Sequence, residues 1–328
     1  MIFKTPKFWY KDANVILRCI LYPISKIYAF FAWLNYKRGY KYKSKKSKVI
    51  AIGGITAGGS GKTIVAASLC EILKNINKKP AIISRGFGRS SKETFIVDDR
   101  IHTFKDVGDE PLLLSKYADV FVGKDRANSA KLAEKEGYDF FILDDGVTQK
   151  YLYPDVKFVV IDNSQGFGNG EMLPLGPNRL NFNIIKKDID AAIIITSDVF
   201  ENTKKNESKI PNSIPRVLGY LEHDFSNIKL HERVFAFCGI GYPKKFFDSL
   251  YQKLDVVKTL SFPDHHPFSN DDIIDLISEA KTHNAKLVTT EKDLMRIPKR
   301  FHEFVSTVPV KIIWKDTAKL VSFLKIQN

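Results

Sequence analysis

The run "GGITAGGSGKTIVAASLC" (53–70) constrains this chain more than any other stretch. The apolar "KVIAIGG" enters a glycine-rich turn, and the helix-forming "KTIVAASLCEILKNI" leaves it. Phosphate-binding loops read G-x-x-x-x-G-K-[ST] between a buried strand and a helix. Gly61, Lys62 and Thr63 supply the last three positions, and Thr56 stands where the first glycine is usual. Gly58, Gly59 and Gly61 let backbone N–H groups wrap an anion at a helix N-terminus. Thr56, Ala57, Gly58, Gly59, Ser60, Gly61, Lys62 and Thr63 are therefore the expected nucleotide-binding residues. Lys62 would reach the β and γ phosphates of ATP, and the Thr63 hydroxyl would ligate Mg²⁺.

Two related loop classes fail on the same letters. Partition-type ATPases carry a second lysine where this chain has Ala57. GTPases need N-K-x-D for guanine, and "NKKP" lacks the aspartate. "FILDDG" (141–146) is an apolar strand ending in two carboxylates. Such a strand end meets the phosphate loop in these folds, so Asp144 and Asp145 join Thr63 as candidate metal ligands.

Short apolar runs alternate with helical segments through the body, as in "PAIISRG", "DVFVG", "VKFVVIDNS" and "AAIIITSD". That pattern predicts an α/β fold, a P-loop NTPase-like, mostly parallel sheet flanked by helices. A second series, "VFAFCGIG", "VVKTLSF", "KLVTTEKD" and "PVKIIW", predicts a smaller α/β domain. The polar "FENTKKNESKIPNSIP" between them marks the boundary. The expected division is an N-terminal helix and basic linker over 1–47, an ATP-binding domain over 48–215 and the smaller domain over 216–328.

The net charge of +14 is local: residues 1–50 hold twelve Lys or Arg against one acid, Asp12. Within them "ANVILRCILYPISKIYAFFAWLN" is apolar apart from a stripe of Asn14, Arg18, Tyr22, Ser25 and Lys26. Arg18, Lys26 and Pro23 interrupt it too much for a clean span or a cleaved signal. An interfacial helix fits better, with "YKRGYKYKSKKSK" beside it attracting anionic lipid. The body offers no groove-reading element, so no nucleic-acid partner is expected, and no obligate protein partner is evident. Cys19, Cys70 and Cys238 lack metal-ligand spacing, which fits a reducing compartment.

Further strings then stand in order: "SRGFGR" (84–89), "GDEP" (108–111), "DDG" (144–146), "LPLGPNR" (173–179), "FPDHHPFS" (262–269) and "TTEKD" (289–293). With "TAGGSGKT" they resemble the tetraacyldisaccharide 4'-kinase family of lipid A biosynthesis over nearly the whole chain. That family's loop also carries threonine at the position of Thr56. The resemblance implies transfer of the ATP γ-phosphate, with Mg²⁺, to the 4'-hydroxyl of a tetraacyldisaccharide 1-phosphate. It implies an anionic glycolipid partner and a peripheral or monotopic place on the cytoplasmic face of the bacterial inner membrane. It implies Asp109 as catalytic carboxylate and His265 as its partner from the second domain. The carboxylate would take the hydroxyl proton while the histidine orients it. Lys62 and Arg179 would stabilise phosphate charge, and Arg85, Arg89 and Glu110 are further candidates around the phosphates. The chain departs from the family's "DDGFQHR" with Val147, Thr148 and Gln149, which questions any role of those positions in placing substrate. The competing expectation is a membrane-tethered P-loop ATPase that switches a protein partner and modifies no lipid.

Overall fold

The apolar runs form thirteen strands in two sheets among the residues described by the computed structural model, 6–10, 14–196 and 210–326. Residues 200–209 of the expected boundary loop lie outside them. In chain order the strands are β1 (Lys48–Gly53), β2 (Pro80–Ser84), β3 (Phe95–Ile96), β4 (Asp119–Val122), β5 (Phe140–Leu143), β6 (Val156–Asp162) and β7 (Ala191–Thr196). They continue with β8 (Arg216–His223), β9 (Arg233–Cys238), β10 (Asp255–Ser261), β11 (Lys286–Thr290), β12 (Val305–Val308) and β13 (Val310–Trp314). The large sheet runs β13-β8-β7-β6-β1-β5-β2-β4-β3 and is parallel except at its two edge pairs. Every residue of β2, β5, β6 and β7 is buried. Helices cover both faces, so these strands read as continuous apolar runs rather than as alternation. β1 lies between β5 and β6, with Ala51 opposite Leu143. The phosphate loop and the two aspartates therefore leave neighbouring strands at the same edge.

The expected partition at residue 215 needs correction. β8 belongs to the large sheet, and the chain returns to it as β13, antiparallel from Val310↔His223 to Trp314↔Gly219. "PVKIIW" thus completes the first sheet instead of closing the second. The smaller lobe is an insertion over 224–309, whose all-parallel sheet runs β10-β9-β11-β12. The Asp224 amide donates to the Pro309 carbonyl at 2.8 Å, so the insertion enters and leaves at adjacent points.

The N-terminal helix α1 (Val15–Lys37) is capped by Asn14, whose Oδ1 accepts from the Leu17 amide at 2.8 Å. It rests on the body through one stripe: Ser25 Oγ donates to the Met172 carbonyl, Tyr36 to Asp188, and Arg18 pairs with Glu171. Val15, Ile16, Ile20, Ile27, Phe30 and Phe31 on the rest of it are each more than half exposed. By length and composition the helix could cross a membrane. The basic run after it is docked rather than free. Tyr42 bridges Leu152, Lys41 donates its amide to the Lys150 carbonyl at 3.0 Å, and Glu134 accepts from Tyr42, Ser44 and the Lys45 amide.

Candidate active site

The phosphate loop begins where β1 ends. A Cβ on Gly53 would meet Val147 at 2.8 Å, so the entry admits only glycine. Gly58 and Gly61 hold φ at 109° and 81°, the left-handed region that turns the chain into helix α2 (Lys62–Asn75). Thr56 needs no such freedom. It pairs strand-like with Asn178, while the Ala57 amide donates to the Pro177 carbonyl at 2.7 Å. "LPLGPNR" is thereby stitched to the loop, which accounts for a side chain at the usual glycine position. The Lys62 ammonium folds back over the loop, 3.5 Å from Ser60 Oγ and 4.0 Å from Asp145 Oδ1.

Beyond β5 the two aspartates differ. Asp144 is buried; its Oδ2 accepts from Ser84 Oγ at 3.2 Å, and its Oδ1 has no partner. Burial first, then Glu110 and Asp145, push its pKa up to about 7. A buried carboxylate oxygen without a donor is what a cation would satisfy, so the site fits a Mg²⁺ ion. Among the described residues no cluster of three or more His, Cys, Asp or Glu forms a metal cage. Mg²⁺ commonly takes one or two protein ligands and completes its shell with phosphate and water. Asp145 is already engaged: both its oxygens accept from Arg179 at 2.7 Å. Burial opposes its ionisation, yet Arg179, Lys62 and Arg126 hold its carboxyl far below the usual range. Arg179 also donates to the Gly54 carbonyl at 2.6 Å. Of the expected metal set, Asp144 keeps one buried oxygen without a donor, Thr63 lies in the first turn of α2, and Asp145 anchors Arg179 at the loop's entry.

The third component joins the two lobes. Gly108, at φ 93°, directs the short helix Asp109–Leu114 so that Asp109 is buried at its start. The insertion delivers His265, whose Nδ1 lies 2.8 Å from Asp109 Oδ2. The lobe also touches the phosphate loop, since a Cβ on Gly241 would lie 3.5 Å from the Gly59 amide. His265 has φ 57° and donates its amide to the Gly239 carbonyl at 3.1 Å. Its neighbour His266 points elsewhere, to Asp272 at 3.2 Å and against the Phe262 ring.

Two cations behind this pair have no role assigned by the sequence reading. Arg296 is 1% exposed and places Nε 3.5 Å from Asp109 Oδ2, while Nη2 donates to the Gly239 carbonyl and to Asp293. Lys292 donates to Glu110 at 2.9 Å. Burial alone would raise the Asp109 pKa, but Lys292, His265 and Arg296 outweigh it and bring it down to about 2. The signal lay in "KDLMR", where Lys292 and Arg296 are four apart, yet only the lobe contact gives it meaning. Arg85 is exposed, whereas both Nη atoms of Arg89 are buried without a partner.

The departures at 147–149 also find places. Val147 is 1% exposed and fills the space opposite Gly53. Gln149 closes a turn: its Nε2 donates to the Leu152 carbonyl, and its Oε1 accepts from the Tyr151 and Leu152 amides. Gln149→Ala strips partners from three backbone groups, and an unfolding titration should show a loss of about 2 kcal/mol.

A profile described as tetraacyldisaccharide-1-P 4'-kinase matches residues 17–327. The tetraacyldisaccharide 4'-kinase of Bartonella quintana is 34% identical, over 90% of this chain and 86% of its own length. That of Rhodopseudomonas palustris is 33% identical, over 99% and 96%. That of Paramagnetospirillum magneticum is 36% identical, over 95% and 94%. The crystal structure of Aquifex aeolicus LpxK in complex with ATP matches with a TM-score of 0.73 at 25% identity, covering 94% of this chain and 98% of that one. With a family match from residue 17 in α1 through both sheets and the site between them, this chain belongs to the tetraacyldisaccharide 4'-kinase family.

Proposed function

We propose that this protein transfers the γ-phosphate of ATP to the 4'-hydroxyl of a tetraacyldisaccharide 1-phosphate at the cytoplasmic face of the inner membrane. The observation that carries this is the Asp109–His265 pair at 2.8 Å, built across two lobes beside the phosphate loop. A switch ATPase needs the loop and its carboxylates. A proton acceptor in a chain that also carries a helix with an exposed apolar face suits an alcohol delivered from a membrane. The ATP-bound relative supports the nucleotide.

The geometry favours a division of labour opposite to the one the sequence suggests. Oδ2 of Asp109 already faces His265 Nδ1 at 2.8 Å and Arg296 Nε at 3.5 Å, which leaves that oxygen little room to take a further proton. Asp109 instead accepts from Nδ1–H of His265, which leaves the lone pair on Nε2. Nε2 takes the hydroxyl proton as the oxygen attacks the γ-phosphorus. Lys62 then meets the charge on the transferring group, and Arg179 holds Asp145 and the Gly54 carbonyl in place. Asp144 Oδ1 and the Thr63 hydroxyl would hold Mg²⁺, whose contribution is to neutralise phosphate charge.

The test is incubation with γ-labelled ATP and the lipid in detergent, followed by separation of the lipids. Labelled lipid stoichiometric with ADP is the expected result; ADP without labelled lipid would favour the switch. Membrane delivery has its own test. Ile16→Asp/Ile20→Asp/Ile27→Asp places charge on the exposed face of α1 and should raise KM for lipid in vesicles roughly tenfold or more. The kcat in detergent micelles should stay near that of the wild type. Equal losses in both media would make α1 part of the catalytic body.

A further inference from the structure

Residues 163–181, between β6 and the helix Phe182–Ile185, form no helix or strand, yet this connection walls the phosphate loop. The Ala57 amide donates to the Pro177 carbonyl at 2.7 Å and the Arg179 amide to the Ile55 carbonyl at 2.6 Å. Both neighbours of Thr56 are thus pinned to it. A connection this long without regular structure takes its shape from whatever holds its backbone groups. Part of that hold comes from the start of the chain. Lys7–Trp9 form a single 3₁₀ turn ahead of α1, and the Trp9 indole N–H donates to the Pro174 carbonyl at 2.9 Å. The Asn169 amide donates to the Trp9 carbonyl at 2.7 Å. Asn169 Nδ2 donates to the carbonyls of Phe8 and Leu175 at 3.1 and 3.0 Å. Tyr10 Oη donates to Gln165 Oε1 at 2.9 Å. Gly168, at φ 59°, permits the contact: a Cβ there would lie 2.5 Å from both the Trp9 carbonyl oxygen and Pro177 Cγ. One glycine therefore lies against the N-terminal turn and against the residue that holds Ala57. The family match begins at residue 17, after this turn.

We propose that the N-terminal turn positions the phosphate loop, with Trp9 and Asn169 as positioning residues that set ATP affinity through 163–181 rather than at the nucleotide itself. The inference rests on the ATP half of the kinase reading and gives the segment ahead of α1 a task distinct from membrane attachment. The path is short. Trp9 holds Pro174 and Asn169, Asn169 holds Leu175, and Pro177 with Arg179 holds the loop. Releasing the turn strips the Pro174 carbonyl and the Asn169 amide of their partners and lets the connection sample other shapes. The first half of the phosphate loop then loses its fixed neighbour, and the nucleotide must order it on binding.

The test is equilibrium binding of the non-hydrolysable β,γ-imido analogue of ATP, with Mg²⁺, to the full chain in neutral detergent micelles. Trp9→Ala and Asn169→Ala should each raise its Kd roughly fivefold or more. The double variant should bind hardly worse than either single one, because both changes release the same turn. The kcat at saturating ATP and the KM for lipid should stay within about twofold of the wild type, which a general loss of fold would not allow. Linkage requires the reverse effect, so saturating analogue should slow hydrogen exchange at the Asn169 amide. Unchanged Kd in the folded single variants overturns the proposal, as does a lower active fraction with unchanged Kd. Penalties that multiply in the double variant also overturn it, since the two residues would then act apart. Ile16→Asp/Ile20→Asp/Ile27→Asp leaves these contacts in place and should bind the analogue as the wild type does. Equal weakening there would assign the effect to the seating of α1 in the micelle and overturn the turn's role. A wild type that fails to bind the analogue would instead remove the ATP site itself.

Discussion

Lys62→Ala should lower kcat by roughly a thousandfold while the protein melts within a few degrees of the wild type. The ammonium points over the loop, and its listening posts are polar: Ser60 Oγ at 3.5 Å and Asp145 at 4.0 Å. Neither distance marks a strong native bond, so little stability depends on them. In the reaction, however, the same ammonium meets the charge that spreads over the transferring phosphoryl group, which no other side chain of the loop can do. Single-turnover phosphorylation of the lipid, with circular dichroism on the same sample, separates the two effects. A folded variant with near-normal turnover would remove Lys62 from the chemistry.

The Asp109–His265 pair should show the second large effect. His265→Ala and Asp109→Asn should each reduce kcat by roughly a hundredfold or more, because either change disables the same proton transfer. The double variant should then be hardly slower than either single one. Multiplying losses would mean two separate roles. Asp109 also carries a stability signature. Its folded pKa of about 2 lies below its unfolded value, so its contribution is present above roughly pH 4 and is lost as the pH falls toward 2. That contribution is about 2 kcal/mol, and Asp109→Asn should flatten the acid side of the stability profile over that window. The carboxyl titrates too low to produce an acid limb in kcat near neutrality; a limb there that disappears in Asp109→Asn but persists in His265→Ala would reverse the two roles.

Much of the site could be read from the sequence because its parts are local. A buried strand, three glycines, Lys62 and Thr63 define the loop within sixteen residues, and "FILDDG" carries its own strand and carboxylates. What escaped depends on distant approach. "PVKIIW" has the same local pattern as a parallel strand, and nothing within it says that β13 pairs antiparallel with β8, ninety residues upstream in the chain. β8 itself is only partly buried, so "RVLGYLEH" lacks the continuous apolar run that marked its neighbours. Arg296 gains its purpose from Asp109 and Gly239, which only the folded insertion brings to it. Nothing in "DRANSA" says that the fold will bury Arg126 and leave its Nε without a partner. Asp145 reads as a metal ligand by position, but Arg179, thirty-four residues on, holds both its oxygens.

The placement of the smaller lobe inside the larger one sets an order of events on the ribosome. Strand β8 has no partner on its outer side until Val310–Trp314 emerges, so the nucleotide-binding sheet is left with an open edge while the whole insertion is synthesised. The insertion closes earlier, because its four strands and its own core around Phe235, Phe237 and Val288 lie within 224–309. The half that is encoded first is therefore finished last, and a nascent chain stopped after β12 would carry a complete histidine-bearing lobe on an incomplete ATP-binding one.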